Sequence, residues 1–274
     1  MTINCLGKII TMNPQVMGIL NITPDSFYDG GKFKTDQSFL NQTEKMLFEG
    51  ASFIDIGAAS SNPKVDVVSE AEELSRITKV VELMLKNFPH AILSIDTFRS
   101  EVARECISRG AAIINDISAG HLDDKMLKTV AELNVPYIMM HMRGNPQTMQ
   151  SYTKYGDIIK ELIFYFSERI HLARGYGIND IIIDPGFGFS KTTVQNFEVL
   201  NHLEQFAMLN LPILAGFSRK SMIYKTLKST AEEALNGTSV LNTVALQKGA
   251  NILRVHDVKE AVECIKLYSA LNGE

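Results

Sequence analysis

Six short stretches of this chain put charged or amide side chains where an apolar run gives way to a turn. Asp184-Pro185-Gly186-Phe187-Gly188-Phe189 sets an acid at the end of such a run, where low dielectric suits it to a hydrogen-bond donor on a heterocycle. Its two glycines admit a ligand to the backbone, and Phe189 offers a flat wall. Gly216-Phe217-Ser218-Arg219-Lys220-Ser221 runs from an apolar stretch into a helix. Backbone amides and a positive dipole end there meet two basic side chains and a hydroxyl, which suits a carboxylate or phosphate. Arg254 and His256 alternate in a strand-like segment, so both point to one side; the arginine can grip a phosphate bidentately and the imidazole adds a donor. Asp257, next in line, reads as the cap of the following helix. Asp96 and Asn115 end two further runs, and a heterocycle with amide and amine edges would satisfy both. Asn21 ends another, with Asp25 and Asp29 on the loop beyond it.

Each group also has a plainer reading. Asp184 could cap a turn, Arg219-Lys220 could be a solvated pair, and Asp96 and Asn115 could cap helices. No GxSxG elbow, HExxH helix or cysteine beside a histidine supplies a nucleophile with its base, and the P-loop spacing of glycines is absent. Catalysis by positioning and charge stabilisation is the economical alternative. A divalent ion such as Mg²⁺, which keeps waters and needs few protein ligands, would be held mainly by a substrate phosphate.

These groups lie far apart in sequence, so the fold must gather them. Eight apolar runs, GILNIT, SFIDIG, AILSIDT, AIINDIS, PYIMMH, IIIDPGFGF, PILAGFSRK and NILRVHD, each end in a polar or turn-forming cluster. Eight parallel strands closed into a (β/α)₈ TIM barrel bring all their carboxyl ends to one face. Helical spacing fills the intervals: Phe39, Met46 and Leu47; then Leu74, Ile77, Val80, Val81 and Leu85. Further helices are expected over about Ser100 to Arg109, Lys125 to Leu133, Ile158 to Gly175, Val194 to Phe206, Ala231 to Lys248 and Val258 to Leu271. A helix after each strand meets the right-handed crossover rule. Residues 1–14 read as a hairpin extension, strands flanking Gly7, that covers the barrel's bottom. The whole of 1–274 reads as one domain.

The bulk numbers agree. At 274 residues the chain is close to the about 250 typical of such a barrel, and 45% hydrophobic residues suffice for one large core. A net charge of −4 provides no broad basic field for nucleic acid. No run is long enough to span a membrane, and the amino terminus lacks the features of a signal peptide. Cys5, Cys106 and Cys264 make no paired framework, so a cytoplasmic setting is expected. Two loops, Pro24 to Thr35 and Ala58 to Val68, are longer than closure needs and are expected to bind or gate a ligand. The polar segment Met142 to Tyr155 is a third candidate for movement.

Taken together, MGILNITPDSFYDGG, GASFIDIGAASSNP, LSIDTFRSEVA, INDISAG, MHMRGNPQTMQ, IIIDPGFGFSKT, AGFSRKSMI and ILRVHDV resemble the dihydropteroate synthase family, in order from about Val16 to the last helix. The resemblance implies a TIM barrel, commonly dimeric. It would join 4-aminobenzoate to 6-hydroxymethyl-7,8-dihydropterin diphosphate, releasing pyrophosphate in folate synthesis with Mg²⁺ near Asn21. It implies a pterin pocket of Asp96, Asn115, Met140, Asp184, Gly216, Lys220 and Arg254, and a diphosphate site of Asn21, Ser61, Arg254 and His256. The 4-aminobenzoate would meet Thr23, Pro24, Phe27, Ser61, Asn62, Pro63, Phe189 and Ser221. Asp184, Lys220, Arg254, His256 and Asp29 would carry catalysis, under lids formed by Thr23 to Gly31 and Ser60 to Lys64. One departure stands out: the family's usual Thr-Arg-Pro is here Ser61-Asn62-Pro63, and Asn62 cannot make an arginine's charged contact with a loop acid such as Asp29. Altered loop closure and acceptor discrimination are expected from it, and the similarity of the Ser-Ser-Asn-Pro run to that of sulfonamide-insensitive relatives implies reduced sulfonamide binding. Two rivals share part of the pattern: a pterin-binding methyltransferase of the same barrel type, and a catalytically silent pterin-binding paralogue.

Overall fold

A computed structural model describes residues 1–22, 36–59 and 68–273. The eight apolar runs form the eight expected strands: β3 (Gln15–Asn21), β4 (Phe53–Gly57), β5 (Leu93–Asp96), β6 (Ile113–Asp116), β7 (Tyr137–Met140), β8 (Ile181–Asp184), β9 (Leu214–Ala215) and β10 (Ile252–Val255). Their order, β8-β7-β6-β5-β4-β3-β10-β9, is parallel throughout, and a parallel bridge from Ile183 to Ile213 joins its two ends into a barrel. Strands buried on both faces read as continuous hydrophobic runs rather than alternating ones, which made them visible in the sequence.

Helices occupy the intervals: α1 (Asp36–Phe48), α2 (Glu70–Asn87), α3 (Ser100–Ser108), α4 (Met126–Leu133), α5 (Ile158–Gly175), α6 (Thr193–Asn201), α7 (Ser221–Leu227), α8 (Leu235–Gln247) and α9 (Val258–Asn272). Two depart from expectation. The segment expected as one helix to Phe206 breaks at His202 (φ −114°, ψ 20°), and a 3₁₀ stretch over Leu203–Leu209 tightens its end. The helix expected from Ala231 starts at Leu235, because the carbonyls of Ala231 and Glu232 are turned to the Arg219 guanidinium.

At the amino terminus β1 (Thr2–Cys5) and β2 (Lys8–Thr11) pair antiparallel through Leu6 and Gly7, both at positive φ (49° and 89°), the conformation a two-residue hairpin turn demands. Ile3, Cys5 and Met12 pack with Met17, Phe53, Ile113, Ile138, Ile182, Leu214 and Ile252, so the hairpin does close the amino-terminal end of the barrel. Alternation then sorts each strand. Ile54, Ile56, Leu93, Ile95, Ile114 and Ile183 face the helices, while the residues between them face the barrel axis. Above the apolar plug the inward positions turn polar: Asp55, Ser94, Asp96, Asn115, Asp184 and Arg254. Of these, Asp55 and Ser94 are fully enclosed.

The Met142 to Tyr155 segment is tied down. Arg143 donates to the carbonyl of Lys154, pairs with Glu161 and lies 3.9 Å from the Tyr155 ring centroid, while the Tyr155 hydroxyl donates to the Ser190 carbonyl. Expected residues Thr23, Pro24, Asp25, Phe27, Asp29, Ser61, Asn62 and Pro63 lie outside the described residues.

Candidate active site

Register carries the mouth residues to one level. Asn21 pairs with Gly57, Gly57 with Asp96, and Asp96 with Asn115, so the ends of four neighbouring strands form one row; Met140 pairs with Asp184 across β7 and β8. Above this row opens a cavity of about 540 Å³ lined by Asn21, Asp96, Phe189, Gly216, Lys220, Ser221, Arg254 and His256 among others. Asn115, Met140 and Asp184 lie buried beneath it. Every expected pocket residue that falls among the described residues is therefore at the mouth or under its floor.

Arg254 lies across the centre. Its Nε donates to Asp55 Oδ2 at 2.7 Å, its Nη2 lies 2.7 Å from the same oxygen and donates to Asp96 Oδ2 at 2.8 Å. Burial alone would lower the arginine's pKa, but Asp55 and Asp96 hold it above the ordinary value, so the guanidinium keeps its charge. Asp96 is pushed up by burial, Arg254 pulling it back and Asp55 adding to the rise. Gly216 lies beside the Arg254 stem, its position for a Cβ being 3.7 Å from Arg254 Cβ.

Asp184 ends β8 with Oδ1 accepting from the amide of Gly186 at 2.8 Å; its other oxygen has no protein partner among the described residues. Burial raises its pKa, and Lys220 is the strongest opposing influence. Lys220 Nζ donates to the Phe187 carbonyl at 2.6 Å and lies 5.0 Å from the Phe189 ring centroid. Burial lowers its pKa to about 8 against the pull of Asp184. Phe189 and Met140 share a small apolar cluster with Ile117, Met142 and Met149, which forms a flat, greasy wall beside these polar groups.

At the rim, Ser218 Oγ accepts the backbone N–H of His256 at 3.2 Å and lies 3.1 Å from its Nδ1. Desolvation by the surrounding protein, then the Arg254 charge, lowers the imidazole pKa, so the ring is neutral near pH 7. In the tautomer where Ser218 donates to Nδ1, Nε2–H is the outward donor.

Two readings change. Arg219 is no second basic arm for an anion: its Nε and Nη2 grip Asp257 at 2.7 and 2.8 Å, and its Nη1 donates to Ala231 and Glu232 carbonyls. Asp257 in turn makes no side-chain cap on α9, because its carboxylate is taken by Arg219. Lys220 is left as the cation of that segment without a carboxylate partner among the described residues, and it lines the cavity.

Sequence reasoning passed over Asp55, the acid inside the run FIDIG. A lone charge in the middle of an otherwise apolar strand was the available signal, since burying it demands partners. Also unforeseen were Met149, Gln150 and Tyr224, which line the cavity from segments with no chemical signature.

Comparison with known proteins follows the same lines. The sequence profile of the family described as pterin binding enzyme matches residues 17–256. The dihydropteroate synthase of Synechocystis sp. is 44% identical over 259 residues, covering 93% of this chain and 89% of that one. That of Escherichia coli is 42% identical over 260 residues, 94% of this chain and 92% of that one. Among solved structures, Yersinia pestis dihydropteroate synthase with a sulfonamide drug complex superposes with a TM-score of 0.94 at 38% identity, covering 100% of both chains. The Xanthomonas albilineans enzyme with 4-aminobenzoic acid superposes with a TM-score of 0.92 at 38% identity, over 100% of this chain and 98% of that one. The same enzyme in complex with 7,8-dihydropteroate has a TM-score of 0.87 at 34% identity, over 100% and 99%.

Proposed function

Because the chain belongs to the dihydropteroate synthase family of pterin-binding enzymes, we propose that its barrel mouth joins 6-hydroxymethyl-7,8-dihydropterin diphosphate to 4-aminobenzoate, with release of pyrophosphate. The observation that carries the reading is the juxtaposition of a donor and a held guanidinium lining one cavity, Lys220 and Arg254, over a buried acceptor, Asp184, whose carboxylate feels the Lys220 charge.

The pterin bicycle lies against Phe189 and Met140. The partner-free oxygen of Asp184 accepts from its N–H edge, Lys220 donates to its acceptor edge, and Asp96 and Asn115 engage the far end. The methylene C–O bond breaks with its electron pair passing to pyrophosphate, and the pterin ring shares the positive charge left behind. Arg254 and the Nε2–H of His256 stabilise the charge on the leaving group. The amine nitrogen of 4-aminobenzoate forms the new C–N bond and loses its proton to the departing pyrophosphate. Its ring meets Phe189, its carboxylate meets the Ser221 hydroxyl, and water is excluded while the cationic methylene is exposed. We extend the reading to Thr23, Pro24, Phe27, Asp29, Ser61, Asn62 and Pro63 as loop contacts, and to weakened sulfonamide binding through Asn62.

Among the described residues no cluster of three His, Cys, Asp or Glu side chains forms a metal cage. Asn21 stands exposed at the end of β3, its Oδ1 and Asp96 Oδ2 both bordering Gly57. The neutral amide oxygen of Asn21 fits Mg²⁺, whose remaining ligands would be water and diphosphate oxygens, since Asp96 Oδ2 already takes the Arg254 guanidinium. When bound, the ion supplies neutralisation of diphosphate charge.

No helix among the described residues is long and apolar enough to cross a membrane, and the three buried, unpaired thiols suit a cytoplasmic setting. A homodimer fits the exposed Leu267 and Leu271, four residues apart on α9. The methyltransferase reading is set aside because the relatives described above are dihydropteroate synthases over nearly their full length.

Turnover with the dihydropterin diphosphate, Mg²⁺ and 4-aminobenzoate tests the reading and also separates an enzyme from a silent paralogue. Pyrophosphate release that requires the amine is expected. Lys220→Ala and Arg254→Ala should slow it about 30- to 1000-fold, the loss of roughly 2–4 kcal/mol of transition-state contacts. Amine-independent release, or none, would overturn it.

A further inference from the structure

Asp55 does not line the cavity at the barrel mouth, yet two residues of the pterin pocket hang from one of its oxygens. It lies midway along β4, fully enclosed and facing the barrel axis. Its Oδ2 accepts from Arg254 Nε at 2.7 Å and from Asn115 Nδ2 at 3.0 Å, with Arg254 Nη2 a further 2.7 Å contact. Its Oδ1 has no hydrogen-bond partner among the described residues. The carboxylate is thus held entirely through the side that faces these two residues.

From this geometry we infer that Asp55 is the positioning residue that sets the hydrogen-bonding polarity of the pterin pocket, by fixing which way Asn115 and Arg254 face. The inference rests on the pterin reading of the mouth.

A carboxylate only accepts, so the Asn115 amide must turn its NH₂ inward and present Oδ1 to the mouth. The ligand edge opposite Asn115 is then required to donate, as the exocyclic amine of a 2-amino-4-oxo bicycle does. A ligand with a carbonyl there meets oxygen against oxygen. Asp55 likewise engages the Nε side of the Arg254 fork and Asp96 takes Nη2, leaving Nη1 as the nitrogen without a protein partner among the described residues. Without Asp55 the guanidinium would be drawn toward Asp96 alone, and Asn115 would be free to turn over.

The decisive experiment measures binding of 6-hydroxymethylpterin by calorimetry, and turnover, for the wild type, Asp55→Asn, Asn115→Ala and the double variant, with thermal melts reporting the fold. Asp55→Asn keeps the shape but brings an NH₂ group into a cluster of donors. Its pterin dissociation constant should rise about 10- to 100-fold in the folded, binding-competent protein, the scale of losing one or two charge-assisted contacts. The KM for 4-aminobenzoate should stay within about twofold, since that ring contacts neither residue. Asn115→Ala should add little in the Asp55→Asn background, because the two act as a unit. A purely structural role would instead lower the melting temperature and the active fraction while leaving the dissociation constant alone, and that result would overturn the inference. If Asp55→Asn does not fold, Asn115→Asp replaces it. That variant still offers an outward acceptor but sets a second acceptor against Asp55, so its pterin affinity should be lost at pH 8 and recover on acidification. Wild-type affinity at pH 8 would overturn the inference. Wild-type protein that binds no pterin would overturn the pocket reading and this inference together; wild-type binding with an unchanged Asp55→Asn would overturn this inference alone.

Discussion

Lys191 Nζ lies 3.0 Å from Nδ1 of His141, both side chains are buried, and neither makes an ion pair among the described residues. The same ammonium donates to the carbonyls of Gly186 at 3.0 Å and Phe189 at 3.2 Å. Lys191 therefore braces the turn that carries Asp184's hydrogen-bond donor at one end and the aromatic wall at the other.

Burial lowers the Lys191 pKa to about 7 from the ordinary 10.5, Asp184 opposing the shift. Between those two values the unfolded chain holds the proton and the folded one does not, so the lysine's contribution to stability rises with pH there and is lost as pH falls through 7. Urea unfolding of wild type and Lys191→Met at pH 7, 8 and 9 should show the difference shifting in favour of wild type by at most about 1.4 kcal/mol per pH unit. Parallel pH curves would contradict this.

Gly186 sits at φ +71°, and a Cβ there would stand 2.1 Å from the backbone oxygen of His141. That oxygen cannot swing aside as a side chain would. Gly186→Ala should cost about 3 kcal/mol or more of stability and, by tilting Asp184, about 100-fold or more in kcat/KM. Thermal melts and initial rates measure both; near-wild-type values in both would refute the close-approach argument.

In the proposed reaction Lys220 acts as a cation, and burial brings its pKa to about 8. Below that value the ammonium is present; above it the charge is lost, so kcat/KM should fall on the alkaline side with a midpoint near 8. Lys220→Arg, at whatever level of residual activity, should push that limb to higher pH because guanidinium stays charged. An alkaline limb that Lys220→Arg leaves in place would assign it to another group.

What the sequence disclosed follows from the fold's own regularities. Interior parallel strands are continuous apolar runs with polar ends, so IIIDPGFGF and NILRVHD announced both a strand and a mouth residue at once. Partnerships across the barrel were hidden. Arg219 meets Asp257 across 38 residues, and Asp55 meets Arg254 across 199; no local pattern distinguishes either from a solvated charge or a capping acid. Asp55 was further masked because the register that turns it inward shows only once β4 is paired with its neighbours.

A crystal structure with 6-hydroxymethylpterin and pyrophosphate bound tests the assignment of the barrel mouth most directly. The expected result has the bicycle against Phe189, its donors on Asp184 and Asn115, its acceptor edge at Lys220, and pyrophosphate at Arg254 and His256. A pterin bound elsewhere, with the Asp184 carboxylate and Lys220 ammonium unengaged, would contradict it.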